Sequence, residues 1–347
     1  MGTPQSRATT FSPRRPFRGG HLQTLASYFL SRRVALPPPE TRLIEVEAGT
    51  KVLAQCYWQS DRQRPLTVIA VHGLEGSSAS QYMRGIASKG LAAGMNVVLM
   101  NQRNCGGTEG LAPTLYHSGL SQDVAAVARH LIDTDKVSAF ALVGYSMGGN
   151  LVLKMAGEWG SHGPSQFRSV VAVSPAMDLA ASSDALHLRG NRIYEFYFMW
   201  QLRRRLREKA RIFPDSFDVE RLRGLSSMRE FDDKITAHYC GFSGVADYYA
   251  RAAASNVVDR ISVPALIMHS ANDPFIRVLP DTRKKILANP NITFVETDDG
   301  GHCSFIADSD GNGYDGYWAE REVIEFLRRF QAQQSTLSIQ QVPAGSG

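Results

Sequence analysis

"ALVGYSMGGNLVLKMAG" (residues 141–157) runs from an unbroken apolar stretch through Gly144-Tyr145-Ser146-Met147-Gly148 into a second apolar stretch of helical spacing. The pentapeptide matches G-x-S-x-G at a strand-to-helix turn. Glycine at both flanks fits a turn so tight that a Cβ would meet neighbouring backbone. Ser146 would then stand at the apex with its hydroxyl clear of the sheet. That makes it a nucleophile candidate; the competing reading is a glycine-rich turn that happens to hold a serine.

A serine hydroxyl is a weak nucleophile near neutral pH, so it needs a general base oriented by a carboxylate. With a strand-to-helix elbow the partners follow in the order acid, then histidine. Asp273 in "HSANDPFI" (269–276) comes directly after one apolar run, and His302 in "TDDGGHCSF" (297–305) after the next. Asp273 precedes Pro274 and could merely start a turn. His302 could be a loop histidine, and Asp298 or Asp299 could orient it instead. Charge on a tetrahedral intermediate needs backbone N–H donors, and losing one costs about 2.7–4 kcal/mol. Met147, after the nucleophile, and Leu74 in "VHGLEGSS" (71–78) are the candidates. His72 reads as support for that loop, and His269 as structural.

Around these motifs the chain alternates. "RLIEVEAG" (42–49) and "KVLAQCYW" (51–58) have period two and a Gly-Thr turn, which predicts an antiparallel hairpin. Short unbroken apolar runs follow at 66–73, 96–101, 139–144, 169–175, 264–270 and 292–297, as strands buried on both faces require. Helix-period segments near 79–93, 119–134, 146–159 and 317–333 separate them. The expectation is an α/β fold, a mostly parallel doubly wound sheet of about eight strands. Residues 1–39 read as a basic arm and linker, partly disordered up to about residue 15, residues 40–332 as the domain, and 333–347 as a disordered tail.

The interval of about 178–262 lacks a strand-like run and reads as a helical cap inserted after the sixth strand, over the sheet's carboxyl edge. In it, "NRIYEFYFMWQLRRRLREKARIF" (191–213) places Ile193, Phe196, Tyr197, Trp200 and Leu206 roughly on one helical face. Tyr194, Tyr197 and Trp200 are the substrate-binding candidates of this stretch. The run Arg203, Arg204, Arg205, Arg207, Lys209 and Arg211 reads first as a solvated face, and second as a patch for an anionic headgroup, a coenzyme A phosphate or a membrane surface.

The net charge of +5 is uneven: the first 39 residues carry six arginines and no acid, leaving 32 basic against 33 acidic residues beyond them. Basicity confined to an arm argues against a nucleic-acid surface. The 43% hydrophobic content supports a sizeable core. Four scattered cysteines, Cys56, Cys105, Cys240 and Cys303, read as reduced thiols in a cytoplasmic protein. Arg14-Arg15 lacks the apolar segment of an export signal, and no apolar run reaches the roughly 18 residues of a membrane span. No metal or dinucleotide motif is present, so no cofactor is expected.

"RGGHLQTL" (18–25), "HGLEGSS" (72–78), "NQRNCGGTEG" (101–110), "GYSMGGNLVLKMAGE" (144–158), "REFDDKITAHYCGFSGVADYYARA" (229–252), "NDPF" (272–275) and "GGHCSFI" (300–306) together resemble the YheT-like branch of the α/β-hydrolase superfamily. The resemblance covers roughly residues 16–330. It implies the α/β-hydrolase fold, with Ser146 as nucleophile, Asp273 as acid and His302 as base. It also implies a serine hydrolase acting on a small-molecule ester or lipid. Eukaryotic lipid hydrolases of this branch carry an N-terminal membrane anchor, absent here, so the expectation lies nearer the soluble bacterial members. The expected activity is hydrolysis of carboxylic esters with short- to medium-chain acyl groups. Its alternatives are acyl transfer to an alcohol, phospholipid hydrolysis, and a non-catalytic ligand-binding member. A dehalogenase or epoxide hydrolase would need Asp at position 146. No chemical role is evident for His21.

Overall fold

The computed structural model describes residues 10–30, 32–310 and 313–340. The expectations for residues 1–9 and 341–347 fall outside the described residues. The arm contributes a helix, α1 (Gly20–Phe29), and then an extended approach to the hairpin β1 (Glu40–Glu47) and β2 (Thr50–Tyr57). Residues 10–15 were expected to be loose, yet they are docked. Pro13 bridges to Ala307, and Phe11 packs against Phe305 and Trp318.

The alternating part follows: β3 (Thr67–Val71), α2 (Gln81–Ala92), β4 (Asn96–Met100), α3 (Ser121–Asp135), β5 (Phe140–Tyr145), α4 (Met147–Trp159) and β6 (Phe167–Val173). The chain then turns helical: α5 (Leu179–Leu186), α6 (Arg192–Ile212), α7 (Met228–Phe231), a π-helical turn at Asp232–Ala237, and α8 (Val245–Ala252). It returns to the sheet as β7 (Ala265–Ser270), α9 (Pro280–Ala288), β8 (Ile292–Thr297) and α10 (Trp318–Gln340). One eight-stranded sheet results, in the order β1-β2-β4-β3-β5-β6-β7-β8. Strand β2 is antiparallel to β1 and β4, and the other pairs are parallel. Helix α9 is short and polar, which hides it from hydrophobic periodicity. Helix α10 continues beyond residue 332 into the segment expected to be unstructured.

Side chains of β3 show why the runs are unbroken. Ile69 and Val71 point into a core shared with α3 and α4, whereas Val68 and Ala70 point into a second core under α2 and α10. A third cluster joins α5, α6, α7 and α8 to Phe275 and Ile276 in the loop after β7. On α6 the buried stripe is Glu195, Met199, Leu202 and Leu206, while Ile193, Phe196 and Trp200 are 63%, 72% and 50% exposed. Of the face that helical spacing singles out, Leu206 is buried while Ile193, Phe196 and Trp200 point outward. Two apolar stripes compete over 193–206, and helical spacing alone cannot say which meets the neighbouring helices.

Candidate active site

Strand β5 delivers Ser146 to the sheet's carboxyl edge, where it takes φ 54° and ψ −118° before α4 begins. The two motif glycines permit this. A Cβ on Gly144 would lie 2.2 Å from the Gly148 carbonyl oxygen, and one on Gly148 would lie 2.3 Å from that of Val71. Left-handed backbone at a non-glycine residue is costly, so it persists only where its surroundings hold it. Here the Ser146 N–H donates to the Val173 carbonyl at 2.9 Å, and the Ser146 carbonyl accepts from Asn150 and Ala176.

His302 Nε2 lies 2.9 Å from Ser146 Oγ, and its Nδ1 lies 2.8 Å from Asp273 Oδ2. The other oxygen of Asp273 accepts the N–H groups of Phe275 and Ile276 at 3.1 and 2.9 Å. One carboxylate thus shapes the turn after Pro274 and also orients an imidazole. Asp299 does not reach His302. Its oxygens take Gly19 N–H, Asn272 Nδ2 and Gly300 N–H, tying the loops together.

Burial alone would raise the Asp273 pKa. The charge of His302, its hydrogen bond and the Ile276 N–H outweigh that and hold it below the usual carboxylate value. Burial likewise opposes charge on His302, but Cys303 and Asp273 overcome it and raise the imidazole above its ordinary range. Phe275 packs against the ring, with centroids 4.4 Å apart.

The loop after β3 approaches Ser146 closely: a Cβ on Gly73 would sit 3.0 Å from that of Ser146. His72 is fully buried, and burial lowers its pKa to about 4, so the ring is neutral. Its Nε2 accepts Gln102 N–H at 3.1 Å, which leaves Nδ1–H to donate to the Gly73 carbonyl at 2.8 Å. In a trans peptide the carbonyl and N–H point in opposite directions. Holding the Gly73 carbonyl on His72 therefore turns the Leu74 N–H the other way. Among the described residues no hydrogen bond is recorded for the Leu74 or Met147 N–H, and both residues line the cavity beside Ser146.

That cavity encloses about 110 Å³. Its apolar wall includes Leu74, Leu186, Phe198, Leu202, Leu206 and Phe275. Tyr194, Tyr197 and Trp200 do not line it; one helical step over, Phe198, Leu202 and Leu206 of α6 do. Tyr194 instead stacks on His21, with its hydroxyl 3.0 Å from His21 Nδ1.

Several participants carry no motif signal. Thr24 Oγ1 accepts the His302 N–H at 2.9 Å, and Gln23 bonds both the N–H and the carbonyl of Ile306. Helix α1 is thus pinned under the histidine loop, and a Cβ on Gly20 would lie 1.9 Å from the Asn272 carbonyl oxygen. Cys303 Sγ stands 3.8 Å from His302 Nε2. The basic run divides. Arg205 turns inward onto Glu75 with two contacts of 2.8 Å, and Lys209 is buried on Asn104 and the carbonyls of Glu109 and Ala112. Among the described residues no group of acids, histidines and cysteines is arranged to hold a metal, and no helix is long and apolar enough to cross a membrane.

The alpha/beta hydrolase fold family model matches residues 67–309. YheT of Escherichia coli (strain K12), a protein named as an esterase, is 31% identical over 305 residues, 87% of this chain and 88% of that one. Human phospholipase ABHD3 is 27% identical over 301 residues, 83% of this chain and 71% of that one. A monoacylglycerol lipase of Saccharomyces cerevisiae is 26% identical over 280 residues, 78% and 60% of the two chains. Among solved structures, the Pyrococcus furiosus esterase Pf2001 superposes with a TM-score of 0.54 at 19% identity, over 86% of this chain and 98% of that one, a likeness of fold. The protein is a hydrolase, and its chain belongs to the α/β-hydrolase family, in the YheT-like abhydrolase-domain branch.

Proposed function

We propose that this hydrolase cleaves carboxylic esters with short- to medium-chain acyl groups through an acyl-enzyme on Ser146. The observation that carries the reading is the hydrogen-bonded chain Ser146–His302–Asp273 set at an apolar cavity. The Ser146 hydroxyl attacks the acyl carbon while its proton passes to His302 Nε2. The oxyanion is met by the N–H groups of Leu74 and Met147. His302 then returns the proton to the leaving alkoxide, and the tetrahedral intermediate collapses to the acyl-enzyme. Water repeats the cycle: it gives a proton to His302, its oxygen bonds the acyl carbon, and Ser146 leaves with the proton restored. Asp273 keeps the imidazole in the tautomer with Nδ1–H and stabilises the transient cation. Names of the relatives, which include an esterase, a phospholipase and a monoacylglycerol lipase, agree with ester cleavage.

The test is a panel of aryl esters from about two to sixteen acyl carbons, each methylene contributing about 0.8 kcal/mol if buried, together with fluorophosphonate labelling. Turnover and labelling of wild type, with both lost in Ser146→Ala, are expected. Labelling that persists in Ser146→Ala overturns the assignment.

A further inference from the structure

The cavity wall is not apolar throughout. Asp232, Thr236, Ser183 and Tyr249 interrupt it, three of them in the segment 229–252, which the reaction above leaves without a role. They come from three elements. Asp232 and Thr236 lie on the π-helical turn, Ser183 on α5 and Tyr249 on α8. Such turns recur at functional positions in helices.

Counting protons shows what this group lacks. Thr236 Oγ1 donates to Asp232 Oδ1 at 2.8 Å, and Tyr249 OH donates to Asp232 Oδ2 at 2.7 Å. Tyr249 OH also lies 2.9 Å from Ser183 Oγ. A phenol has one proton. With that proton on the carboxylate, the contact with Ser183 is made by the serine donating. Every hydroxyl proton of the cluster is then spent, yet each carboxylate oxygen keeps acceptor capacity.

No lysine or arginine among the described residues forms an ion pair with Asp232. The guanidinium of Arg229 sits over the Tyr249 ring at 5.4 Å and pairs with Asp184. Burial pushes the Asp232 carboxyl up to about 6, while the Tyr249 and Thr236 hydrogen bonds and the charge of Arg229 favour its ionised form. A carboxylate that faces a cavity with its neighbours' protons already spent can still take a further donor from a ligand.

We propose that Asp232, Tyr249 and Thr236 form a polar subsite within the substrate cavity, which binds a hydrogen-bond donor, a hydroxyl or an ammonium, carried by the ester. The inference rests on the ester-hydrolase reading and narrows it. The preferred substrate is then an ester whose chain is apolar next to the carbonyl and bears a donor further along. An all-carbon chain would shut water from the carboxylate without meeting its remaining acceptor capacity, and sites built to bond a donor discriminate against analogues that lack it. Phe231, Tyr248 and Tyr249 give the subsite aromatic walls, which suit an ammonium as well as a hydroxyl.

The experiment compares aryl esters of plain, ω-hydroxy and ω-amino acids, in matched chain lengths of about four to ten carbons, on wild type and Asp232→Asn. The readout is the ratio of kcat/KM for each substituted ester to its plain counterpart, which is independent of how much folded enzyme each sample holds. In wild type one of the two ratios should exceed about ten at the chain length that reaches the subsite. A hydroxyl source leaves part of that preference in Asp232→Asn, whose amide oxygen still accepts; an ammonium source leaves none. Ratios at or below one for every length in wild type, or ratios that Asp232→Asn leaves unchanged, overturn the proposal. Absence of turnover of every ester, plain and substituted alike, would instead refute the ester-hydrolase reading. The subsite would then be read from thermal shifts with alkylammonium ions and alkanols, a larger shift in wild type than in Asp232→Asn supporting it and equal shifts overturning it.

Discussion

At the residue scale, the proposed reaction gives three side chains from separate segments, Ser146, Asp273 and His302, one role each. Asp273→Asn should keep the geometry but favour the wrong imidazole tautomer, lowering kcat by about four orders of magnitude. A near-wild-type Asp273→Asn, with an inactive Asp299→Asn, would reassign the acid. The pH profile carries a second expectation. Only neutral His302 can accept the Ser146 proton, so kcat/KM falls as the ring becomes protonated. Since Cys303 and Asp273 raise the ring's pKa after burial has lowered it, the acidic limb should lie above the ordinary imidazole value of about 6.5. Cys303→Ser removes one of the two raising neighbours, and its limb should move to lower pH. A limb that stays in place would show Cys303 to be electrostatically silent.

At the element scale, α1 and α6 touch each other through His21 and Tyr194 and meet different parts of the site. Thr24 on α1 gives the His302 N–H its acceptor, and leaving a buried donor unpaired costs about 1–3 kcal/mol. Thr24→Val should lower kcat with KM little changed, and Thr24→Ser should restore it. If both variants match wild type in steady-state kinetics, α1 merely covers the loop. Helix α6 presents Leu202 to the cavity and Trp200 to the outside. Rates on plain aryl esters should therefore climb from acetyl to about hexanoyl or octanoyl, at about 0.8 kcal/mol per buried methylene, before levelling. Leu202→Trp should move that maximum to shorter chains, whereas Trp200→Ala should leave it where it is.

At the scale of the whole molecule, the helical segment between β6 and β7 is clamped to the sheet's edge by charge as well as by apolar packing. Arg205 of α6 grips Glu75 directly after Leu74, and Glu75 also takes the Tyr116 hydroxyl while its N–H donates to that same oxygen. The side chains of Arg205 and Glu75 are only 11% and 3% exposed. Removing one partner of such a pair strands the other, a loss of about 3–5 kcal/mol. Arg205→Met should accordingly lower unfolding stability in urea by that amount and reduce kcat, because the loop carrying the Leu74 N–H loses its anchor. Adding Glu75→Gln should recover part of the stability, the sign of coupling expected for contacting residues. Purely additive losses would mean that the two residues act separately.

Much of this molecule was legible in the chain because its signals are local. Short unbroken runs such as 96–100, alternating with helix-period segments, suit strands covered on both faces, and G-x-S-x-G encodes a turn whose steric demand is met within a few residues. The order serine, aspartate, histidine follows from the connection pattern of parallel strands, so Ser146, Asp273 and His302 could be nominated before any distance was known. Tertiary structure alone decided which of two apolar stripes on α6 turns inward, since both satisfy helical spacing and only the position of α5, α7 and α8 distinguishes them. It also decided that Thr24 meets His302 across 278 residues, and that Asp232, Ser183 and Tyr249 converge on one cavity. Those contacts join positions with no shared periodicity or spacing. Folding brings them together through the packing of elements that each obey their own local rules.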